Sequence, residues 1–383
     1  MNNKVYFPNL DGLRTIACFM VFAFHSLGIG GNRLGIPNLY MEKLTSAFLN
    51  GKTGVSIFFV LSGFLITFII LSEIKKKGQF SLGHFYIRRV LRIWPLYFLV
   101  LGIIFGLLPL VDHFFAVAKN SFDSRPMYYF TFLSNFDVLR IVENGQSDFL
   151  PSTITWSVAI EEQFYLFWPL LFLFIPGAYY KQMFLFIIAF AFGFRLLHYN
   201  QPNQLYFHSL SAVFDLAVGG GTAYLCITDS GIKKAIIKLR DKGRILIIIS
   251  GMVIMYLNAL IHLSWFNLVL TAAQALFFAF IIVDQCFNRS ERLKFSRSKL
   301  LTGLGKYTYG MYMLHPLVLF ALNIVLVRII NVPVDGTLGM WVHFCAVLPL
   351  TIFVAWLSYN LLEKKFLLLK EKFSFITMSP TKG

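Results

Sequence analysis

The sequence predicts an all-α polytopic integral membrane protein, a bundle of about ten transmembrane helices with both termini in the cytoplasm. Of its 383 residues, 57% are hydrophobic and the mean hydropathy is +0.68, whereas ordinary soluble domains are roughly 45–50% apolar. Apolar stretches close to the ~20 residues that cross a hydrocarbon core recur along the whole chain. Charged residues make up only 14% and are bunched between these stretches, as expected of loops that connect membrane spans.

The predicted spans share apolar composition and a sufficient length; they run roughly over 11–29, 53–73, 93–111, 156–176, 182–199, 209–228, 245–263, 266–286, 306–327 and 341–362. With residue 1 placed inside, 25 of the 34 Lys and Arg residues fall in the inner loops and 7 in the outer loops. The positive-inside rule therefore places both termini in the cytoplasm. The first apolar stretch lacks a small-residue cleavage site, so we expect it to remain as the first span. We expect one membrane domain over 1–370 and a short basic cytoplasmic tail over 371–383.

Two function classes are disfavoured by composition. A net charge of +16 could indicate nucleic-acid binding, but the basic residues sit in short runs that flank apolar stretches, which is typical of membrane topology. The four cysteines have no metal-ligand spacing and lie in or beside apolar segments, so we interpret them as small buried hydrophobes and predict no metal.

The outer loop over 112–155 is polar and aromatic and is a candidate for a partial lid.

Ionisable residues in the first predicted span are the first candidates for function. A charge at mid-membrane costs roughly 2.5–3.5 kcal/mol, so such residues are rare without a role. The segment LDGLRTIACFMVFAFHS holds Asp11, Arg14 and His25. Arg14 and His25 are eleven residues apart, which on a helix places them on one face about 16 Å apart along the axis. The alternative is that Asp11 and Arg14 anchor the interface and His25 is a satisfied polar residue near the outer surface.

An arginine cluster precedes the third span. The segment FYIRRVLRIWPLYF carries Arg88, Arg89 and Arg92 just before Pro95. Clustered guanidiniums suit multivalent phosphate binding, because each presents a planar fork of donors. The alternative is ordinary positive-inside anchoring.

Two adjacent carboxylates occupy the outer end of the fourth span, in TWSVAIEEQFYLFWPLL. Glu161 and Glu162 differ by about 100° in direction, so at most one need face the interior. Glu161 shares a helix face with Tyr165 and is the candidate for proton transfer or orientation. For Glu162 we expect a solvated position at the helix start.

Further polar residues inside spans are candidates for lining a pore or an acceptor site. As alternatives, small residues would permit close helix packing, tyrosines would form an interfacial belt, and Pro316 would kink its helix. The candidates are Ser62, Tyr165, Asp215, which precedes three glycines, and Tyr309, Tyr312 and His315.

Together these segments resemble the acyltransferase 3 family of membrane enzymes that O-acylate sugars and other extracytoplasmic molecules. The resemblance runs from about residue 7 to 365 and rests on LDGLR with His25 in R-x10-H spacing, FFVLSGFLIT, FYIRRVLRIWP, WSVAIEEQFY, the Asp215 region and YGMYMLHP. No one of these motifs is decisive, whereas their order and spacing are specific.

The resemblance implies an acyl-CoA donor on the cytoplasmic side and an acceptor hydroxyl on the outer side. It implies that His25 is the catalytic histidine with Arg14 as its motif partner, that the three clustered arginines lie on the donor side, and that Glu161 matches an acidic motif position. We also take Asp11, from the same motif, as a candidate catalytic residue. Some relatives carry a C-terminal extracytoplasmic esterase-like domain. We expect that this chain, without one, would need a separate periplasmic or extracellular partner protein for any second transfer step.

The function predicted is a plasma-membrane O-acyltransferase, with acetyl-CoA as donor and a cell-envelope glycan hydroxyl as acceptor. Acyl transfer needs a base for the hydroxyl and a polarised site for the oxyanion, with cations for the donor phosphates elsewhere. A transporter or flippase of a lipid-linked glycan is the alternative, because intramembrane charges also mark substrate pathways. A membrane scaffold or sensor without chemistry is a third interpretation.

Overall fold

The computed structural model describes residues 7–33, 51–110, 124–145, 151–228, 230–261, 264–325 and 337–373. Helices and turns account for these residues, and no strand occurs among them. Much of the predicted lid segment and the tail beyond residue 373 lie outside the described residues.

The described helices are numbered in the order in which they occur along the chain. In order they are α1 (Pro8–Arg33), α2 (Gly51–Lys77), α3 (Leu82–Gly102), α4 (Pro126–Phe130), α5 (Ser134–Glu143), α6 (Thr155–Phe174), α7 (Tyr180–Leu197), α8 (Pro202–Phe207), α9 (Ser209–Ile227), α10 (Gly231–Lys238), α11 (Asp241–Leu260), α12 (Ser264–Phe287), α13 (Lys299–Leu304), α14 (Thr308–Ile324), α15 (Thr337–Ser358) and α16 (Lys364–Glu371).

The described residues contain 8 helices that are long and apolar enough to cross a membrane. They correspond to α1, α2, α3, α6, α7, α9, α12 and the segment from α15 into α16. The remaining predicted spans, 245–263 and 306–327, coincide with the helices α11 and α14, whose described residues do not meet the same requirement. A polytopic helical membrane bundle is therefore observed, while ten crossings and cytoplasmic termini stay predictions.

A close crossing of α2 and α9 depends on two glycines. A Cβ added to Gly63 would lie 1.9 Å from the carbonyl oxygen of Leu216, and one added to Gly219 would lie 1.9 Å from the carbonyl oxygen of Val60. Both distances are far inside van der Waals contact, so only glycine lets the two backbones touch here. The close helix packing that small residues were expected to permit is therefore observed at Gly63.

The N-terminal helix α1 is joined to a distant part of the chain. It packs against α2, α12, α13, α14 and α15. Asn9 Nδ2 donates to the carbonyl of Gln285 (2.9 Å), and Thr15 Oγ1 donates to the carbonyl of Leu301 (2.7 Å). Side-chain hydrogen bonds thus fix the register of α1 against the segment that leads into α14.

The start of α11 is held by a buried ion pair. Arg244 is fully buried and donates from Nε and Nη2 to both carboxylate oxygens of Asp284 on α12, at 2.7 and 2.9 Å. This bidentate geometry satisfies the guanidinium where water cannot reach it. Arg244 therefore belongs to the packed interior, although its sequence context is that of a basic loop.

Part of the predicted lid segment folds over the start of α6. The side chain of Gln163 donates to the Phe132 carbonyl (2.8 Å) and to the Asn135 Oδ1 atom (2.9 Å). Phe132 has a positive φ of 56°, and its ring lies 4.8 Å from that of Tyr97 and 5.6 Å from that of Trp94. The helices α4 and α5 therefore cap the N-terminal end of α6.

Candidate active site

A cavity of about 110 Å³ lies between α1, α2, α3, α6 and α14. Its walls combine apolar side chains with three arginines, Arg14, Arg89 and Arg92, and one carboxylate, Glu161. Residues from five helices, distant in sequence, thus meet around one space. Of the predicted pore-lining residues, the cavity includes Ser62, Tyr165, Tyr309 and Tyr312.

Glu161 is held by two hydroxyl groups. Ser62 Oγ donates to Glu161 Oε1 at 3.1 Å, and the Tyr165 hydroxyl donates to Oε2. The Tyr165 hydroxyl also lies 3.4 Å from Ser62 Oγ. The shared face predicted for Glu161 and Tyr165 is therefore observed, and Ser62 of α2 completes a network around the carboxylate.

Glu162 is not solvated, and the expectation of a solvated position is wrong. Trp94 Nε1 of α3 donates to Glu162 Oε2 at 3.0 Å. The other oxygen, Oε1, is buried and has no hydrogen-bond partner among the described residues. The neighbouring helix α3 covers this side of α6, which the sequence of α6 alone could not indicate.

Arg89 and Arg92 face the cavity without a direct ion pair among the described residues, although carboxylates such as Glu161 lie near enough for their charges to interact. The Arg89 guanidinium lies over the rings of Phe85 (5.4 Å) and Tyr165 (5.5 Å), and its Nε is buried with no partner among the described residues. Arg92 is close enough to Arg14 and Arg89 for their positive charges to repel one another. No ion pair within the described part of the chain involves Arg89 or Arg92. Half-buried cations without a direct ion pair favour an anionic ligand.

Arg88 has a different environment from the other two clustered arginines. It is absent from the cavity wall. Its Nη1 donates to the carbonyl of Phe373 (2.8 Å), and its Nη2 lies 3.9 Å from Glu73 Oε2. Arg88 thus joins α3 to the segment that follows α16.

His25 of α1 and His315 of α14 form a pair. Nδ1 of His25 lies 3.0 Å from Nε2 of His315, and the rings are nearly parallel with centroids 5.2 Å apart. Neither ring lines the cavity. Tyr312 connects the two features: it lines the cavity, bonds to Ser157 Oγ at 2.6 Å, and places its ring 6.1 Å from that of His315.

The hydrogen bonds of His315 determine the tautomers of this pair. Nδ1 of His315 lies 3.1 Å from the carbonyl oxygen of Met311, and a carbonyl oxygen only accepts, so Nδ1 carries the proton. With both rings neutral, His315 Nε2 then accepts from His25 Nδ1. The unprotonated nitrogen of His25 is therefore Nε2, which is the state required of a general base.

Comparison with known proteins identifies the family. A family model described as an acyltransferase domain matches residues 7–360. The chain belongs to the acyltransferase 3 family. No solved structure matches it.

Several bacterial relatives from the same comparison carry O-acetyltransferase names. A Staphylococcus aureus (strain COL) protein named "Putative O-acetyltransferase" is 28% identical over 378 residues, which cover 94% of this chain and 57% of the relative. The "Peptidoglycan O-acetyltransferase OatA" of Listeria monocytogenes is 30% identical over 238 residues, covering 58% of this chain and 34% of the relative. The "O-acetyltransferase OatA" of S. aureus is 26% identical over 383 residues, covering 95% of this chain and 57% of the relative. This chain thus spans little more than half the length of the curated relatives.

Asp11 and Asp215, two residues predicted from the sequence to belong to the site of this acyltransferase 3 protein, lie in ion pairs rather than in the cavity wall. Asp11 accepts from Arg14 three residues later on α1. Asp215 accepts from Arg195 Nη2 at 3.2 Å and from Ser56 Oγ at 2.9 Å. The structure therefore places Asp215 in a buried network that joins α2, α7 and α9, away from the wall that was predicted for it.

Sequence reasoning missed two polar residues at the site. Ser157 lines the cavity and forms a hydrogen bond with Tyr312. It lies four residues before Glu161 on the same helix face, and this spacing could have identified it as a site residue. Trp94 holds Glu162, and no pattern in the sequence links these two residues. Within the described ranges, no group of three or more His, Cys, Asp or Glu side chains could hold a metal ion.

Proposed function

We propose that this protein is a plasma-membrane O-acetyltransferase that moves an acetyl group from cytoplasmic acetyl-CoA to a hydroxyl group of a cell-envelope glycan, with His25 as the general base. Peptidoglycan, the acceptor in the name of the Listeria relative, is the first candidate. The observation that carries the proposal is a cavity lined by three arginines, in which the wall residue Tyr312 also lies beside the histidine pair.

The separation of charges along α1 supports this assignment. Arg14 lines the cavity, and His25 lies three turns further along the same helix, about 16 Å away by helical rise. Donor phosphates bound by Arg89 and Arg92 would therefore lie far from the base. The long, thin pantetheine arm of CoA would span the distance between the phosphates and the base.

The proposed step is a direct transfer. Nε2 of His25 takes the proton of the acceptor hydroxyl while the hydroxyl oxygen attacks the thioester carbonyl carbon. The C–S bond then breaks, and the imidazolium returns the proton to the departing CoA thiolate. The Tyr312 hydroxyl is the candidate donor to the oxyanion, because it lines the cavity beside His315.

The neighbouring groups have positioning roles in this proposal. His315 accepts from His25 Nδ1 and so holds the ring with Nε2 as the unprotonated nitrogen, as a carboxylate does in hydrolytic triads. Glu161, held by Ser62 and Tyr165, presents a carboxyl group to the cavity and would orient the acceptor or the donor arm.

Reconstituted protein would test the proposal. Purified protein in proteoliposomes is given acetyl-labelled CoA on the side of the arginine cluster and a muropeptide or glycan oligosaccharide on the other. We expect label in ester linkage on the oligosaccharide, lost in His25→Ala protein that still binds CoA. Movement of unmodified oligosaccharide across the membrane without any label transfer would instead establish the flippase alternative.

A further inference from the structure

Lys52 extends the cavity-lining face of α2 by one further turn. Val55, Phe59 and Ser62 line the cavity from one face of this helix, and Lys52 lies three residues before Val55 on the same face. Its side chain is exposed. In the predicted topology this is the outer end of α2, so an exposed cation stands where an acceptor from outside would reach the cavity.

The start of α2 is level with His25 of α1. A Cβ added to Gly51 would lie 2.9 Å from a ring carbon of Phe24, and the ring of Phe24 lies 5.4 Å from that of His25. Lys52 therefore follows directly after a residue that packs beside the neighbour of the proposed base.

The direction of α1 separates Lys52 from the cavity arginines. A Cβ added to Gly54, one turn into α2, would lie 2.6 Å from the carbonyl oxygen of Ala17. Contacts thus move towards the start of α1 as α2 runs forward, and Arg14 lies on that side. An anion bound at Lys52 would therefore be at the opposite end of the site from one bound at the arginines.

An aromatic cluster holds the Lys52 side chain. Its Nζ lies 5.1 Å from the centroid of the Tyr206 ring, a distance at which a cation and an aromatic face attract each other. The Tyr206 ring packs 4.6 Å from that of Trp156, and the Trp156 ring lies 6.1 Å from that of the cavity residue Phe59. A chain of rings thus connects Lys52 to the cavity wall and restricts the position of its ammonium group.

Hydrogen bonds fix the short helix α8 that carries Tyr206. Asn135 Nδ2 donates to the carbonyl of Phe207 (3.0 Å), and Gln204 Nε2 donates to Glu143 Oε1 (2.9 Å). Both bonds join α8 to α5. Because α5 caps the N-terminal end of α6, the Tyr206 ring is held at this end of the cavity.

We propose that Lys52 binds an anionic group, a carboxylate or a phosphate, of the acceptor glycan, with Tyr206 as the positioning residue that holds its ammonium group. An ammonium offers three donors and no acceptor, which suits such a group. The inference rests on the proposed function, because it takes the acceptor to be a glycan that enters from the outer side. It adds a substrate class to that function: acceptors with a negative charge are preferred to neutral ones.

Acceptor kinetics with matched ligands test this inference. Proteoliposomes with the full chain receive acetyl-CoA on one side and a carboxylated glycan oligosaccharide, or the methyl ester of the same oligosaccharide, on the other. Lys52→Gln should raise the KM for the carboxylated acceptor roughly tenfold and leave kcat and the ester nearly unaffected, since only a charged hydrogen bond is lost. A phosphorylated oligosaccharide in a third arm shows which anion the site prefers.

Further variants serve as controls. Lys52→Arg keeps the charge and should retain most of the preference for the charged acceptor. Arg125→Gln removes another exposed charge from the predicted outer side and should behave as wild type. Tyr206→Phe keeps the ring and should also behave as wild type, whereas Tyr206→Leu should lose part of the preference, because the cation loses its aromatic face. The melting temperature of each variant is measured in parallel.

The outcomes separate this inference from the proposed function. Acetyl transfer with an unchanged ratio of the two KM values in Lys52→Gln protein would overturn the inference alone. Equal losses on the charged and esterified acceptors, with a lower melting temperature, would also overturn it, because they would show a structural role. If wild-type protein transfers no acetyl group but equilibrium binding of the carboxylated oligosaccharide weakens in Lys52→Gln and not in Arg125→Gln, the anion site stands and the proposed function fails.

Discussion

His25 and His315 meet across the interface of α1 and α14 with Nδ1 and Nε2 only 3.0 Å apart. Because Met311 accepts from the far side of His315, the second imidazole acts as an acceptor that orients the first. The base and the residue that positions it thus have separable roles, and substitutions should distinguish them.

Replacing the two histidines should give losses of different size. His25→Ala and His25→Gln should both lower kcat by at least ~10²-fold, because neither side chain can take the proton. His315→Gln should retain part of the activity, since its amide oxygen can still accept from His25 Nδ1, whereas His315→Ala should lose roughly ten- to a hundredfold. Label transfer and CoA binding measure these effects. An active His25→Gln protein would exclude His25 as the base.

The two adjacent glutamates should differ in importance. Glu161→Gln places an amide N–H against the Tyr165 hydroxyl and removes the only carboxylate in the cavity wall, so we expect roughly a tenfold or larger loss of kcat. Glu162→Gln can still accept from Trp94 and should lose less. Ser62→Ala, which removes one donor to Glu161, should give an intermediate effect. Equal, mild losses at both glutamates would contradict a role for Glu161.

Two of the three cavity arginines, Arg89 and Arg92, should control donor affinity. Arg89→Ala and Arg92→Ala should each weaken acetyl-CoA binding roughly tenfold or more, because a phosphate loses a charged donor pair. Lysine at either position should rescue poorly, since it lacks the planar fork. Equilibrium binding of CoA to purified protein checks this expectation. Unchanged affinity in both alanine variants would show that these arginines only anchor the helix.

The crossing of α2 and α9 should tolerate no side chain. Gly63→Ala or Gly219→Ala would force the backbones apart and should destabilise the protein by at least ~1–3 kcal/mol. Gly221→Ala is the matched control from the same glycine run, because its Cβ would meet atoms only at ordinary contact distances of 3.8–3.9 Å. Thermal unfolding in detergent measures the difference. A stable Gly63→Ala protein would mean that the helices cross less closely.

Orientation in the membrane is tested by cysteine labelling. Gln79 and Asn144 are exposed and lie on opposite sides of the membrane in the predicted topology, so they are suitable positions for labelling. They are preferred to the adjacent Phe80, which is buried, and Gly145, which has a positive φ. In a background without native cysteines, Gln79→Cys should react only from the cytoplasmic side and Asn144→Cys only from outside. The reverse pattern would overturn the topology derived from the positive-inside rule.

Local periodicity predicted some of the site, because it reports which residues share a helix face. The contact between Glu161 and Tyr165 follows from a separation of one turn, and the offset between Glu161 and Glu162 correctly indicated that they point apart. What covers each face depends on packing between helices, which no spacing encodes. The burial of Glu162 under Trp94 and the pairing of His25 with His315 could not be predicted from the sequence for this reason.

Charge counting had a similar limit. The positive-inside rule treats every basic residue near a span as a loop charge, yet Arg244 is buried against Asp284 and Arg88 is bound to the C-terminal segment. Asp215 shows the converse: a carboxylate inside a span indicated a pore, whereas Arg195 and Ser56 satisfy it as part of the packed bundle. Whether a charged residue lies in a loop, in a pore or in the packed interior depends on the partners that other helices supply.

The attachment of α1 to the segment before α14 has a consequence for how the protein is made. His25 finds its partner 290 residues later in the chain, and at a synthesis rate of about 5–20 residues per second that partner emerges some tens of seconds afterwards. Throughout this interval the first helix lies in the membrane without the His315 partner of its histidine. An incomplete nascent chain cannot assemble the histidine pair, so activity can begin only after the ribosome has passed α14.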